Sequence, residues 1–185
     1  MQSALIFLFK TLADLYLLTF LLRFIMQWAR TSHYTPLSQF VFRVTNPLVV
    51  PARRFLPSVA GLDTPTLVVL ILLEIVATLI LLRLGGLSLP VPQLLAYSML
   101  RLFALAVWFY TIALFIYVVL SWFGDRTGRN PMTVLLGELV EPLLRPARRL
   151  LPPIGGLDLS PLIVILLLQA IMIALPFPPL LSYLR

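Results

Sequence analysis

"PLLRPARRLLPPIGGLD", residues 142–158, and "PLVVPARRFLPSVAGLD", residues 47–63, are one phrase written twice. Pro142 falls on Pro47, an offset of 95 residues (142 − 47). The same offset pairs Pro51 with Pro146, Arg53 with Arg148, Arg54 with Arg149, Pro57 with Pro152, Gly61 with Gly156 and Asp63 with Asp158. It reaches back to Pro36 and Pro131. With a one-residue gap, "MQW" at 26–28 falls on "LSW" at 120–122. Long apolar runs flank each basic, proline-broken phrase, so the repeating unit reads helix, basic segment, helix. The chain then divides into a first repeat, residues 1–90, and a second, residues 91–185.

Composition says where such units reside. The chain has 185 residues, 61% of them hydrophobic and 11% charged, with a mean hydropathy of +1.02. A soluble domain carries about a quarter charged residues. The apolar residues come in blocks long enough for membrane helices. Cysteine is absent, which excludes disulfides, thiolate catalysis and cysteine-ligated metals. A single histidine, His33, makes no His-rich metal site. The net charge of +7 would suggest nucleic acid in a soluble protein. In a membrane protein it first raises the question of which side the charge faces, and no direct nucleic-acid partner is expected.

Crossing a bilayer takes ~20 apolar residues per helix. Four segments qualify: residues 4–28, 65–82, 94–122 and 161–175, the last short and ended by "PFPP". The first is not read as a cleavable signal, because Lys10, Asp14 and Arg23 interrupt it and no small-residue cleavage site follows. The loop after the first span carries Arg30, Arg43, Arg53 and Arg54. The loop after the third carries Arg126, Arg129, Arg145, Arg148 and Arg149. Between Arg83 and Arg101 there is no charge. The positive-inside rule then places both basic loops in the cytoplasm and both termini outside. Trp28 and Trp122 close spans one and three at the cytoplasmic interface. The expected fold is all-α: four transmembrane helices as two hairpins in parallel repeat, each with a basic interfacial segment. Inverted repeats are frequent in alternating-access transporters, although parallel ones also occur.

Proline at 51 or 146 removes a donor and disfavours a long helix, so short helical pieces are expected at the interface. Asn46 before Pro47 reads as a helix cap with a first-turn proline. The arginine stems suit acyl chains while the guanidinium groups reach phosphates. Arg53, Arg54, Arg145, Arg148 and Arg149 are thus candidates for binding lipid or a partner, against a simpler role in fixing topology. Asp63 and Asp158 are read as caps for the second and fourth spans, accepting from their first amides. Gly61 and Gly156 permit the turn back into the membrane.

Ionisable residues inside spans are costly and demand partners. Asp14 and Glu74 lie near the middles of spans one and two. Lys10 precedes Asp14 by one helical turn and shares its face. Arg23 and Arg101 lie nearer span ends and are expected to snorkel. The repeat places Trp108 where Asp14 stands and Gln169 where Glu74 stands, so the buried acids belong to the first unit alone. Three readings are open: a structural pairing with Lys10 or Arg101, an ion or proton site, and a polar contact to another membrane protein.

"LYLLTFLLRFIMQW" (15–28), "PLSQF" (36–40), "NPLVVPARRFLP" (46–57) and "GLD" (61–63) resemble the YggT family of bacterial inner-membrane proteins, relatives of the YlmG proteins. The second half resembles the same unit again. The resemblance implies a multi-pass plasma-membrane protein. It also implies an association with cell-division gene clusters, chloroplast nucleoid distribution, cytochrome assembly, or osmotic and potassium tolerance. It brings no catalytic residues. The second unit departs from the pattern by lacking a membrane acid, which weighs against a symmetric channel.

The expected function is a membrane scaffold or assembly factor with a basic cytoplasmic face. The alternative is a component of a potassium or proton transport system, or of osmotic tolerance, using Asp14 and Glu74. An enzyme is not expected: no zinc motif, GxSxG or glycine-rich phosphate loop is present. No cofactor or metal is expected. The partners expected are anionic phospholipids and another membrane or membrane-associated protein, with self-association as a further option.

Overall fold

The computed structural model describes residues 2–29, 31, 35–58, 61–123, 131–150 and 158–177. Six helices account for most of these described residues: α1 (Gln2–Trp28), α2 (Pro36–Ala52), α3 (Thr64–Leu84), α4 (Val91–Phe123), α5 (Pro131–Leu150) and α6 (Ser160–Ala174). Arg30, Arg126, Arg129, Pro152 and Gly156 of the sequence reading lie outside the described residues, as does the side chain of Trp122.

Among the described residues, three helices are long and apolar enough to cross a membrane: α1, α3 and α4. Each is apolar on nearly every face, as lipid-exposed helices must be. Leu5, Phe7, Leu8, Leu12 and Leu15 of α1 point outward, and so do Leu72 and Val76 of α3. The chain is a membrane protein by these criteria. The fourth expected span, α6, has 15 residues, about 22 Å of helix, against a hydrocarbon core of about 30 Å. It falls short of the criterion that the other three meet.

The two basic, proline-containing segments differ from the short helical pieces expected. They are continuous helices of 17 and 20 residues, with Pro47 and Pro51 inside α2 and Pro142 and Pro146 inside α5. Asn46 is an interior residue of α2, not its cap. The cap is Thr35, whose Oγ1 accepts from the Ser38 amide at 3.2 Å, with Pro36 in the first turn. The prolines are tolerated because of where they face. Pro47 and Pro51 are one turn apart and exposed, so the carbonyls they leave free open outward rather than into the protein. The opposite face of α2, Ser38, Val41, Thr45 and Val49, is buried.

α1 packs on α3, α3 on α4, and α4 on α6. α2 covers α1 and α3, as α5 covers α4 and α6. One core joins Leu17, Phe20, Leu21 and Ile25 of α1 to Leu70 and Ala77 of α3, and takes in Leu135 and Leu139 of α5. A second holds α4, α5 and α6 together around Leu114, Val140, Leu144 and Val164. At one end, Gln2 Nε2 donates to the Leu84 carbonyl at 2.6 Å, and Leu81, Leu82, Tyr97 and Phe177 pack together. Gly86, at φ +71°, makes the turn from α3 into α4 there. The basic helices α2 and α5 belong to the other end.

Candidate functional site

The first cluster lies where the two repeats meet. Arg101 of α4 donates from Nη2 to Asp14 Oδ1 of α1 at 2.7 Å. Its Nη1 lies 3.1 Å from Glu74 Oε1 of α3 and donates to Thr78 Oγ1 at 2.9 Å. Thr78 in turn donates to Glu74 Oε1 at 2.8 Å, and Lys10 Nζ stands 3.6 Å from Asp14. Two acids face two bases, and the charges cancel. Arg101 and Glu74 are buried, so water does not screen them and the pairing is electrostatically strong. A cavity of about 320 Å³ opens beside the cluster between α1 and α4, with Lys10, Asp14, Arg101, Trp108 and Phe177 among its walls. Arg101 does not snorkel, contrary to expectation, because two carboxylates hold it inside. The sequence reading missed Thr78. Its position one turn after Glu74 puts both on one face, which is a legible signal.

The second cluster is at the base of α2. Arg23 was also expected to snorkel, yet its side chain is 2% exposed. Its Nη1 donates to Thr45 Oγ1 at 2.6 Å and to Asn46 Oδ1 at 2.9 Å, and the guanidinium lies 4.9 Å from the centre of the Phe42 ring. Its Nε is 3.7 Å from Asp63 Oδ2, too long for a hydrogen bond but a close charge contact. Asp63 sits at the start of α3 without capping a backbone amide, which corrects the capping role. Its Oδ2 is occupied by Arg53 Nη2 at 2.9 Å and Thr66 Oγ1 at 2.6 Å. The carboxylate is fully buried and turned toward Arg53 and Arg23, so its charge is met by guanidinium groups rather than by backbone amides. Gly61, at φ +78°, turns the chain so that Asp63 reaches back to Arg53.

The second repeat builds the same clasp with other neighbours. Arg148 Nε donates to Asp158 Oδ2 at 2.8 Å, while its Nη1 donates to Glu141 Oε2 at 2.8 Å. Asp158 Oδ1 accepts from the Ser160 amide at 3.0 Å. Burial works against the Arg148 charge, but hydrogen bonds to Asp158 and Tyr117 prevail and raise its pKa above the ordinary value. Burial likewise opposes the charge on Asp158. The Arg148 and Ser160 hydrogen bonds outweigh it and hold the carboxyl below its usual range. At the repeat offset, Glu141 stands where Asn46 stands in α2. With the one-residue gap, Tyr117 stands where Arg23 does.

The five arginines offered as lipid or partner ligands therefore divide. Arg53 and Arg148 are clasped to acids of their own repeats. Arg145 is exposed and 3.6 Å from Glu141. Arg54 and Arg149 are exposed.

The clasp and the helix order recur at the spacing of a known family. Residues 2–84 and again 96–178 match CCB3/YggT. The chain belongs to the CCB3/YggT family. An uncharacterised Pseudomonas aeruginosa protein is 42% identical over 173 residues, 92% of this chain and 87% of its own length. The uncharacterised protein YggT of Escherichia coli strain K12 is 37% identical over 171 residues, 92% of this chain and 88% of its own. The Guillardia theta protein ycf19 is 36% identical over 63 residues, which are 34% of this chain but 69% of ycf19. That family relative is therefore about the size of one repeat. No solved structure gives a significant match.

Proposed function

We propose that this protein is a bacterial inner-membrane scaffold or assembly factor. In this reading it has four spans as two hairpins of like orientation, residues 1–90 and 91–185, with the α2 and α5 end in the cytoplasm and the termini outside. The observation that carries it is the closure of the intramembrane charges on one another. Asp14 and Glu74 are both committed to Arg101, so the joint between repeats is a fixed staple. A transport role would need these carboxylates to exchange protein partners for an ion. The helices at the basic end instead turn Arg43, Arg54, Arg145 and Arg149 outward, which suits contact with another component.

The test is recovery of the tagged protein from native membranes in mild detergent. A second protein at fixed stoichiometry is the expected result. Recovery of this chain alone, together with cation flux in reconstituted liposomes that Asp14→Asn abolishes, would overturn the scaffold in favour of transport.

A further inference from the structure

The repeated phrase does not carry repeated charge. Arg43 in α2 is replaced by Glu138 at the offset position in α5, and Asn46 by Glu141. Over α2 and its following turn the charges are Arg43, Arg53 and Arg54, with Asp63 cancelling Arg53. Over α5 they are Arg145, Arg148 and Arg149 against Glu138, Glu141 and Asp158. Among the described residues the basic surplus thus belongs to the first repeat.

That surplus has a particular setting. Phe40, Arg43, Pro47 and Pro51 recur at one-turn spacing on the outer face of α2, opposite its buried stripe, and all four are exposed. Val50 flanks them, and Phe55 beside Arg54 is 84% exposed. A row of exposed aromatic and aliphatic groups interleaved with arginines fits the headgroup boundary. There the rings enter the acyl region and the guanidinium groups meet phosphates. It does not fit water alone. At Phe40's place α5 has Leu135, which is buried in the core, and at Arg43's place it has Glu138, so among the described residues the row does not recur at the repeat offset.

We infer that the outer face of α2 and its turn, through Arg43 and Arg54 with Phe40 and Phe55, is a binding site for an anionic phospholipid headgroup, and that α5 is not. This rests on the membrane reading above but not on the scaffold having a protein partner. An acidic protein surface is the competing occupant.

The probe is phosphatidylglycerol, titrated onto the detergent-purified full chain and compared with phosphatidylcholine, with bound lipid counted by native mass spectrometry. The wild type is expected to prefer the anionic lipid. Arg43→Gln with Arg54→Gln should weaken that preference about 30-fold, at roughly 1 kcal/mol per basic residue. Arg145→Gln with Arg149→Gln should leave it within about twofold. Phe55→Ser should weaken binding of the same lipid without altering its salt dependence. No anionic preference in the wild type, or equal losses in the two arginine pairs, overturns the site. Partner recovery from native membranes, measured on the same variants, separates this outcome from failure of the scaffold reading. Loss of the partner with lipid preference intact sends the arginines to a protein instead.

Discussion

Arg101 and Asp14, 87 positions apart in sequence, meet at 2.7 Å, and this contact pins the second repeat to the first. The same guanidinium reaches Glu74 and Thr78, so one side chain of α4 ties together α1 and α3. Its counterpart by the repeat alignment is Phe7, an apolar residue facing outward. The staple is therefore a one-sided device within an otherwise duplicated frame.

Removing Arg101 should be severe. Arg101→Met leaves Glu74 buried without its cation, and loss of one member of a buried pair costs about 3–5 kcal/mol. Adding Glu74→Gln should recover most of that loss, since Lys10 and Asp14 then remain as a balanced pair. Unfolding midpoints in one detergent provide the measurement. An Arg101→Met variant as stable as the wild type would sink the staple.

The two clasp acids should differ in weight. Asp63 is fully buried beneath two arginines and Thr66, so Asp63→Ala should cost on the order of 3 kcal/mol or more. The Asp158 side chain is 33% exposed, and its screened pair should contribute at most about 1 kcal/mol. Equal losses in the two variants would contradict the burial difference.

Asp158 should also confer a weak acid sensitivity. Its folded pKa is depressed, so its contribution is complete above the ordinary aspartate value of about 4. It fades as pH falls below that value through the folded pKa. Arg148 is raised above an already high value, so it stays charged throughout this range and adds no slope. Comparing unfolding of the wild type and Asp158→Asn at neutral pH and near pH 3 should show a smaller acid loss in the variant. Identical acid losses would remove the clasp from the account.

Topology has its own test. Single cysteines placed at Ser3 and Ser58 report the two ends of α1, α2 and α3. An impermeant thiol reagent added to intact spheroplasts should label position 3 and spare position 58. The reverse pattern would invert the protein and put the basic helices outside.

Local chemistry is what the sequence by itself determined. Apolar runs located α1, α3, α4 and α6 to within a few residues, because helix formation in a membrane depends on composition along the segment itself. The 95-residue offset placed the recurring arginines and aspartates, and Lys10 and Asp14 were legible as a pair one turn apart. The tertiary structure decided the rest. Proline counts against a helix, yet α2 and α5 run through theirs. In α2 both prolines turn to the exposed side, and only packing sets which side is exposed. Arg23 and Arg101 looked free to reach an interface, but three-dimensional proximity gave them Asp63, Asp14 and Glu74, and a cation beside a buried carboxylate is held there. Asp63 looked like a cap until the turn at Gly61 brought Arg53 to it. Such pairings depend on how helices distant in sequence are laid side by side, and no spacing along the chain encodes that.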